Sequence, residues 1–435
     1  MRYLAPEYTY TTEGLQRNRL ISINDDGTIQ AITALDDRAL QSISNPIERL
    51  PNMALLPGFV NTHSHVFQRL LRGHTHRALS QQDTFWTWRR AMYAAAQQLT
   101  PDTLYEVALQ TYREMLAAGY TSVGEFHYVH HQPDGTPYTS PNAMAEAVIQ
   151  AGREVGIRVV MLMTAYAQGG FGQPAEEGQR RFCDASVDAY LERVEALHVT
   201  GVPVGVAPHS VRAVPEQWFR RIAEYSQHYA LPLHVHADEQ VVEVEQCLQA
   251  YGCRPIELLA RFEALGPLTT VVHATHADAH EIDLLQQARA TVCVCPTTEG
   301  DLGDGIAPYA ELLQAAIPLA IGSDSNTRLD PLEELRWAEY TARMRYQRRR
   351  VLIADELAAP GALLLHYGTQ AGANALGIPS GSIVSGKLAD FVAIDLTHPM
   401  LRHWTEADLL DVLCFGASSD VIAQTWVNGT CVMKK

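Results

Sequence analysis

Through the middle of the chain, short apolar stretches alternate with helix-length amphipathic segments. Parallel βα units produce that alternation, because their strands are covered on both faces and read as near-continuous apolar runs. Eight stretches qualify as strands: MALLPGFVNTHSH, TSVGEFHYV, RVVMLMTAY, VPVGVAPHSV, LPLHVHADE, LTTVVHATH, ATVCVCPTTE and IPLAIGSDS. They predict an α/β fold, a (β/α)8 TIM-like barrel, over residues 54–372. The helical segments carry their own punctuation. In TPDTLYEVALQTYREMLAAG, a Thr-Pro start, apolar residues at helical spacing and a closing Gly119 predict one helix with both ends marked.

The two ends of the chain read differently. LISINDDGTIQAIT is a pair of short alternating stretches around an Asp-Asp-Gly turn. The same style returns in GSIVSGKLADFVAIDL and in IAQTWVNGTCVMK, where Asn428-Gly429 separates two strands as a hairpin turn. A small β-sandwich is expected from residues 1–53 and 373–435 together.

Composition narrows the function. With 435 residues there is room for a barrel of about 250–350 residues and an accessory domain. A formal net charge of −16 opposes binding to nucleic acid or to anionic membrane surfaces, both of which depend on dense Lys and Arg. No apolar run approaches a membrane span, and MRYLAPEYTYTTEG lacks the order of a signal peptide, so a cytoplasmic protein is expected. Seven scattered cysteines fit a reducing compartment better than a disulfide scaffold. Cys293 and Cys295, on one face of TVCVCP, read as buried thiols of a strand. A homodimer is the default assembly.

The chemistry sits where the strands stop. Nearly every candidate strand ends in ionisable residues: His63 and His65, Glu125 and His127, His209, His236 and Glu239, His273 and His276, Glu299, Asp324. In a barrel these ends converge on one face, and so many desolvated polar groups around one point call for a cation or ligand. His63 and His65, two apart on a strand, project to the same side and can grip one metal ion. His236 and Asp324 complete a shell of three imidazoles and a carboxylate that suits Zn2+, with iron or another divalent first-row ion compatible. His234 shares the face of His236 but lies deeper, as core packing or support. VPVGVAPHSV has no lysine to bridge two ions, so one metal per chain is expected.

PGFVNTHSH, HVHADE, VVHATH and IGSDS, with GKLADFVAID near the C-terminus, resemble the amidohydrolase superfamily in its branch of mononuclear deaminases. Within that branch HSHVFQRLLRG, EFHYVHH, APHSVRAV and SDSNTRLDPLEELRW look like deiminases of bacterial histidine degradation that act on a formimidoyl-substituted dicarboxylic amino acid. The resemblance runs over nearly the whole chain. It implies His63, His65, His236 and Asp324 as metal ligands, Glu239 as proton shuttle to the leaving nitrogen, and His273 with Asp324 orienting the attacking water. A substrate with two carboxylates and a formamidine needs cationic donors in an acidic protein. Arg212 and Arg89 offer planar bidentate forks, with His209, Tyr128 and Gln68 as further donors. Arg90 replaces Arg89 if the helix register slips by one. His130, His131, His74 and His76 read as loop residues. Two other readings are an aromatic or nucleobase deaminase, which should favour stacking aromatics, and a non-catalytic metal-binding relative, which has no need of Glu239 and His273 together.

Overall fold

The β-rich character of the two termini produces one sheet. Its strands are β1 (Arg2–Thr11), β2 (Gly14–Arg17), β3 (Arg19–Ile23), β4 (Ile29–Ala34) and β5 (Ile47–Pro57) from the N-terminal segment. The sequence order then passes through the barrel strands β6 (Phe59–Ser64), β7 (Tyr120–His127), β8 (Arg158–Ala165), β9 (Val204–Pro208), β10 (Leu233–Ala237), β11 (Thr269–His273), β12 (Thr291–Val294) and β13 (Leu319–Ile321). It returns to the terminal sheet with β14 (Phe391–Asp395), β15 (Ile422–Val427) and β16 (Thr430–Lys434). This computed structural model describes residues 1–36, 43, 45–76, 85–353 and 359–435.

The terminal sheet runs β16-β15-β14-β5-β1-β3-β4, with β2 added to β1. It is a second, sheet-rich domain contributed by both ends, as the two similar terminal patterns lead one to expect. Asn428 and Gly429 adopt φ of 49° and 67° between β15 and β16, the backbone that a tight hairpin of right-twisted strands requires. One expected strand divides. MALLPGFVNTHSH is β5 up to Pro57 and β6 from Phe59, because the chain changes sheets at Gly58, where an added Cβ would lie 2.3 Å from Thr121. Ala54–Pro57 thus pair with β14.

The other eight-stranded sheet is parallel and runs β13 to β6 in sequence order. A parallel bridge between Ser64 and Asp324 nearly closes it into the barrel. Its strands are buried along almost their whole length, and one large apolar cluster joins them to the surrounding helices. The helix Pro101–Ala117 begins with a capping box at Thr100 and is followed by Gly119 at φ 95°, as its sequence marks required. Among the described residues no helix is long and apolar enough to cross a membrane.

Candidate active site

The barrel strands deliver their C-terminal residues to one cavity. Gln68, Arg89, Tyr128, His209, Arg212, Glu239, His273, His65, His236 and Asp324 all line it, and His63 lies fully buried against them. The residues given a metal-binding, catalytic or substrate-binding role from the sequence are therefore brought to one place. Arg90, one residue from Arg89, is exposed and does not line the cavity.

At the inner end, His63 Nε2 stands 3.1 Å from His65 Nε2 and 3.1 Å from His236 Nε2. Asp324 Oδ1 is 3.3 Å from His65 Nε2 and 3.6 Å from His63 Nε2. The other ring nitrogens of two of these histidines are tied to the main chain. His65 Nδ1 donates to Phe126 O at 2.8 Å and His236 Nδ1 to His209 O at 2.9 Å. A carbonyl only accepts, so Nδ1 carries the hydrogen in both rings and each Nε2 presents a lone pair. Burial holds all three imidazoles below the usual histidine range, so they are neutral donors. Lone pairs and a carboxylate oxygen converging on one point repel each other unless a cation lies among them. Their spacings suit donors at about 2.0–2.1 Å from one zinc ion. The donor set therefore fits a single divalent metal.

Main-chain closure of the barrel fixes Asp324. Asp324 N donates to His63 O at 3.0 Å, and His65 N donates to Asp324 O at 2.9 Å. Asp324 and His273 have φ of 45° and 75°, a region seldom occupied by residues other than glycine, and such strain gathers at functional sites. Beneath the histidines, Glu125 accepts from Ser64 Oγ at 2.9 Å and from Val66 N at 2.7 Å. Burial pushes its carboxyl up to about 8.

Glu239 and His273 lie against each other beside Asp324. His273 Nε2 lies 3.7 Å from Glu239 Oε1 and 3.7 Å from Asp324 Oδ2, and Nδ1 lies 3.3 Å from Glu299 Oε1. Burial pulls the His273 pKa down, but Glu239, the hydrogen bond to Glu299 and Asp324 together raise it well above the usual value. Burial pushes the Glu239 carboxyl up to about 7, with His273 opposing and Asp324 adding to the rise. A carboxyl titrating there can both hold and release a proton at neutral pH.

The outer end is cationic. Arg89 and Arg212 are both buried, and among the described residues neither has an ion pair within 4.0 Å. The Arg212 side chain has no hydrogen-bond partner at Nε. Trp86 lies 5.4 Å from the Arg89 guanidinium and 5.9 Å from that of Arg212, so cation–π packing exists alongside exposure to the cavity. Gln68 donates Nε2 to the Tyr128 hydroxyl at 2.9 Å, and its Oε1 has no partner. Burial and the two guanidiniums hold His209 well below the usual range.

Sequence reasoning missed part of this wall. Phe85, Trp88, Met92, Tyr93, Tyr166 and Leu302 also line the cavity, so it is more aromatic than its arginines alone suggested. The signal for Tyr93 was its place four residues after Arg89 on the helix Phe85–Gln97. Among the histidines left without a role, His130 and His131 lie in the loop after β7, as expected, and are buried there. His130 Nε2 donates to Thr164 O at 2.8 Å, and His131 Nε2 lies 3.4 Å from Asp184 Oδ1. They support the turn after β7 and do not enter the site. His234 is core, with Nε2 on Ala375 O at 3.1 Å, and Cys293 and Cys295 are buried thiols as expected. His76 does follow a loop, where it meets Asp301 at 2.6 Å.

A barrel with its donors at the strand ends, completed by a sheet from both termini, is an architecture shared with known enzymes. The profile of the amidohydrolase family matches residues 54–432, and the chain belongs to that family. It is 37% identical to a formimidoylglutamate deiminase of Pseudomonas aeruginosa, an alignment covering 100% of this chain and 95% of the relative. It is 27% identical to a 5-methylthioadenosine/S-adenosylhomocysteine deaminase of Haloquadratum walsbyi, over 87% of this chain and 79% of that one. The crystal structure of an amidohydrolase from Brucella melitensis superposes with a TM-score of 0.90 at 33% identity, covering 99% and 94% of the two chains.

Proposed function

We propose that the chain hydrolyses N-formimidoyl-L-glutamate to N-formyl-L-glutamate and ammonia. The observation that carries this reading is a pair of buried guanidiniums, Arg89 and Arg212, without ion-pair partners among the described residues, that line the same cavity as His65, His236 and Asp324. An unpaired buried cation is costly, and a dianionic substrate relieves two at once. Similarity over the full chain to the Pseudomonas aeruginosa deiminase supports the same substrate.

His63, His65, His236 and Asp324 would hold the metal, which when bound supplies a water of lowered pKa. The rest falls to the chain's own groups. Arg89 and Arg212 pair with the two carboxylates and so set the formimidoyl carbon over the inner end. His273, held protonated by the surrounding carboxylates, orients the attacking water, and Asp324 accepts its proton as the C–O bond forms. Glu239 delivers a proton to the departing nitrogen, the C–N bond breaks, and ammonia leaves as the formyl carbonyl forms. The test is ammonia release by the purified enzyme from N-formimidoyl-L-glutamate and, in parallel, from 5-methylthioadenosine. The expected result is turnover of the first with little of the second. Faster release from the nucleoside would overturn the substrate while leaving barrel and metal site standing.

A further inference from the structure

Beside Arg89, two tyrosines have more donors aimed at them than they have hydrogens to share. Tyr93 stands one helical turn beyond Arg89, and Tyr166 follows β8; both line the cavity. Arg89 donates through Nε to the Tyr93 hydroxyl oxygen, and through Nη2 to that of Tyr166 at 3.2 Å. Gln179, buried on the short helix Glu177–Phe182, donates Nε2 to the same two oxygens, at 3.0 Å and 2.8 Å. Its amide cannot be turned round. Oε1 accepts the backbone N–H of Glu176 at 2.8 Å, a group that an amide nitrogen could not satisfy.

A phenol oxygen has two lone pairs and one hydrogen, whereas a guanidinium and an amide nitrogen offer hydrogens only. Both lone pairs of each tyrosine are therefore occupied by Arg89 and Gln179, and the hydroxyl hydrogens are left over. Among the described residues, the remaining interaction of either hydroxyl is with the other, Tyr93 against Tyr166, whose lone pairs Arg89 and Gln179 already occupy. A hydrogen passed from one hydroxyl to the other would still leave one O–H bond without an acceptor. We propose that Tyr93 and Tyr166 donate these hydrogens to the same substrate carboxylate that Arg89 binds, and that Gln179 is a positioning residue that keeps them donors. The arrangement selects for an anion with acceptor oxygens on every side. A carboxamide at the same place would turn N–H hydrogens against O–H hydrogens and be rejected.

This rests on the dicarboxylate reading above, and the test separates the two. Kinetics are measured with N-formimidoyl-L-glutamate and with its two mono-amides, in which either the α- or the side-chain carboxylate is neutral. The wild type is compared with Tyr93→Phe, Tyr166→Phe and Gln179→Met. Each Tyr→Phe variant is expected to raise KM for the dicarboxylate by about 10-fold or more, the scale of a hydrogen bond to a charged group, with kcat within about twofold. Preference for carboxylate over amide should collapse at one of the two positions only. Affinity for the product N-formyl-L-glutamate, measured by calorimetry without turnover, should fall by the same factor. Gln179→Met frees the hydroxyls to turn towards each other and should give a smaller loss of the same pattern. Equal losses on all three substrates, or an unchanged preference in both Tyr→Phe variants, would overturn the tyrosine assignment alone. A wild type that prefers the nucleoside to N-formimidoyl-L-glutamate would overturn the dicarboxylate reading, and this assignment with it.

Discussion

His65 is held by a carbonyl of strand β7 and His236 by one just past β9, and Asp324 by its own main-chain bridge to His63 and His65. Arg89, on the outer wall of the cavity, is held by tyrosine hydroxyls and behind them by the Gln179 amide, which comes from the short helix Glu177–Phe182. The inner end is thus anchored to the backbone of a parallel sheet, and the outer end to side chains on helices and loops. Backbone tethers on a rigid barrel keep donors within the tolerance that ligation and proton transfer need. Side-chain tethers can be rebuilt residue by residue, and in a family that also contains nucleoside deaminases that is where substrate choice has room to change.

If this division holds, damage at the two ends should differ in kind. The largest effects belong to the inner end. His236→Ala should abolish most activity and lose the bound metal, because the ligand shell drops to three while the apolar core is untouched. Elemental analysis should show one ion per wild-type chain and far less in the variant. Glu239→Gln should retain the metal yet lose about two orders of magnitude or more in kcat, since the amide keeps the shape and cannot transfer a proton. Near-normal turnover in that variant would move the shuttle elsewhere and erase the distinction between holding the metal and handling protons.

The same division explains what could be read from the sequence. The inner end was legible because its residues sit at fixed offsets on strands: His63 and His65 two apart, Glu239 three after His236, Asp324 just past an apolar run. Asn428-Gly429 and the cap at Thr100 were legible for the same reason, since each is a local rule satisfied within a few residues. The outer end depends on pairs far apart in the chain. Arg89 meets Tyr166 across 77 residues, and Gln179 meets Tyr93 across 86. Nothing local marks Tyr166 or Gln179, and Tyr93 is marked only by its place four residues after Arg89. The break at Gly58 escaped for a related reason: an apolar run continues smoothly across it, while the chain passes from one sheet to another.

A smaller effect should follow at the outer end. Arg212→Met removes a charge without removing bulk, so fold, metal content and intrinsic chemistry should survive. Discrimination between N-formimidoyl-L-glutamate and a mono-amide analogue should fall by about 10²-fold in kcat/KM. Arg90→Met, at the exposed neighbour of Arg89, should change that ratio by less than about twofold. A loss of metal in Arg212→Met would show that the two ends are coupled and not separately anchored.

The smallest effect concerns a buried carboxyl that belongs to neither end. Glu334, on the helix Pro331–Tyr346, accepts from Thr297 N at 3.0 Å and from the Thr297 hydroxyl, tying that helix to the segment that carries Glu299. Burial pushes its carboxyl up to about 8, against an ordinary value of 4.5. The folded chain therefore binds a proton that the unfolded chain has released between those two values. Stability from this group is fully present below pH about 4.5, falls as pH rises towards about 8, and is level beyond it. Glu334→Gln keeps an acceptor for the Thr297 N–H and a donor for its hydroxyl, and it has nothing to ionise. Relative to the variant, the wild type should lose about 2–4 °C in Tm between pH 5 and pH 8.5. Thermal melts of both proteins across that range decide it. Parallel curves would mean that Glu334 does not take up the proton. Convergence towards acid pH with equal kcat at neutral pH would place its influence on the scaffold beneath the site and not on the chemistry above it.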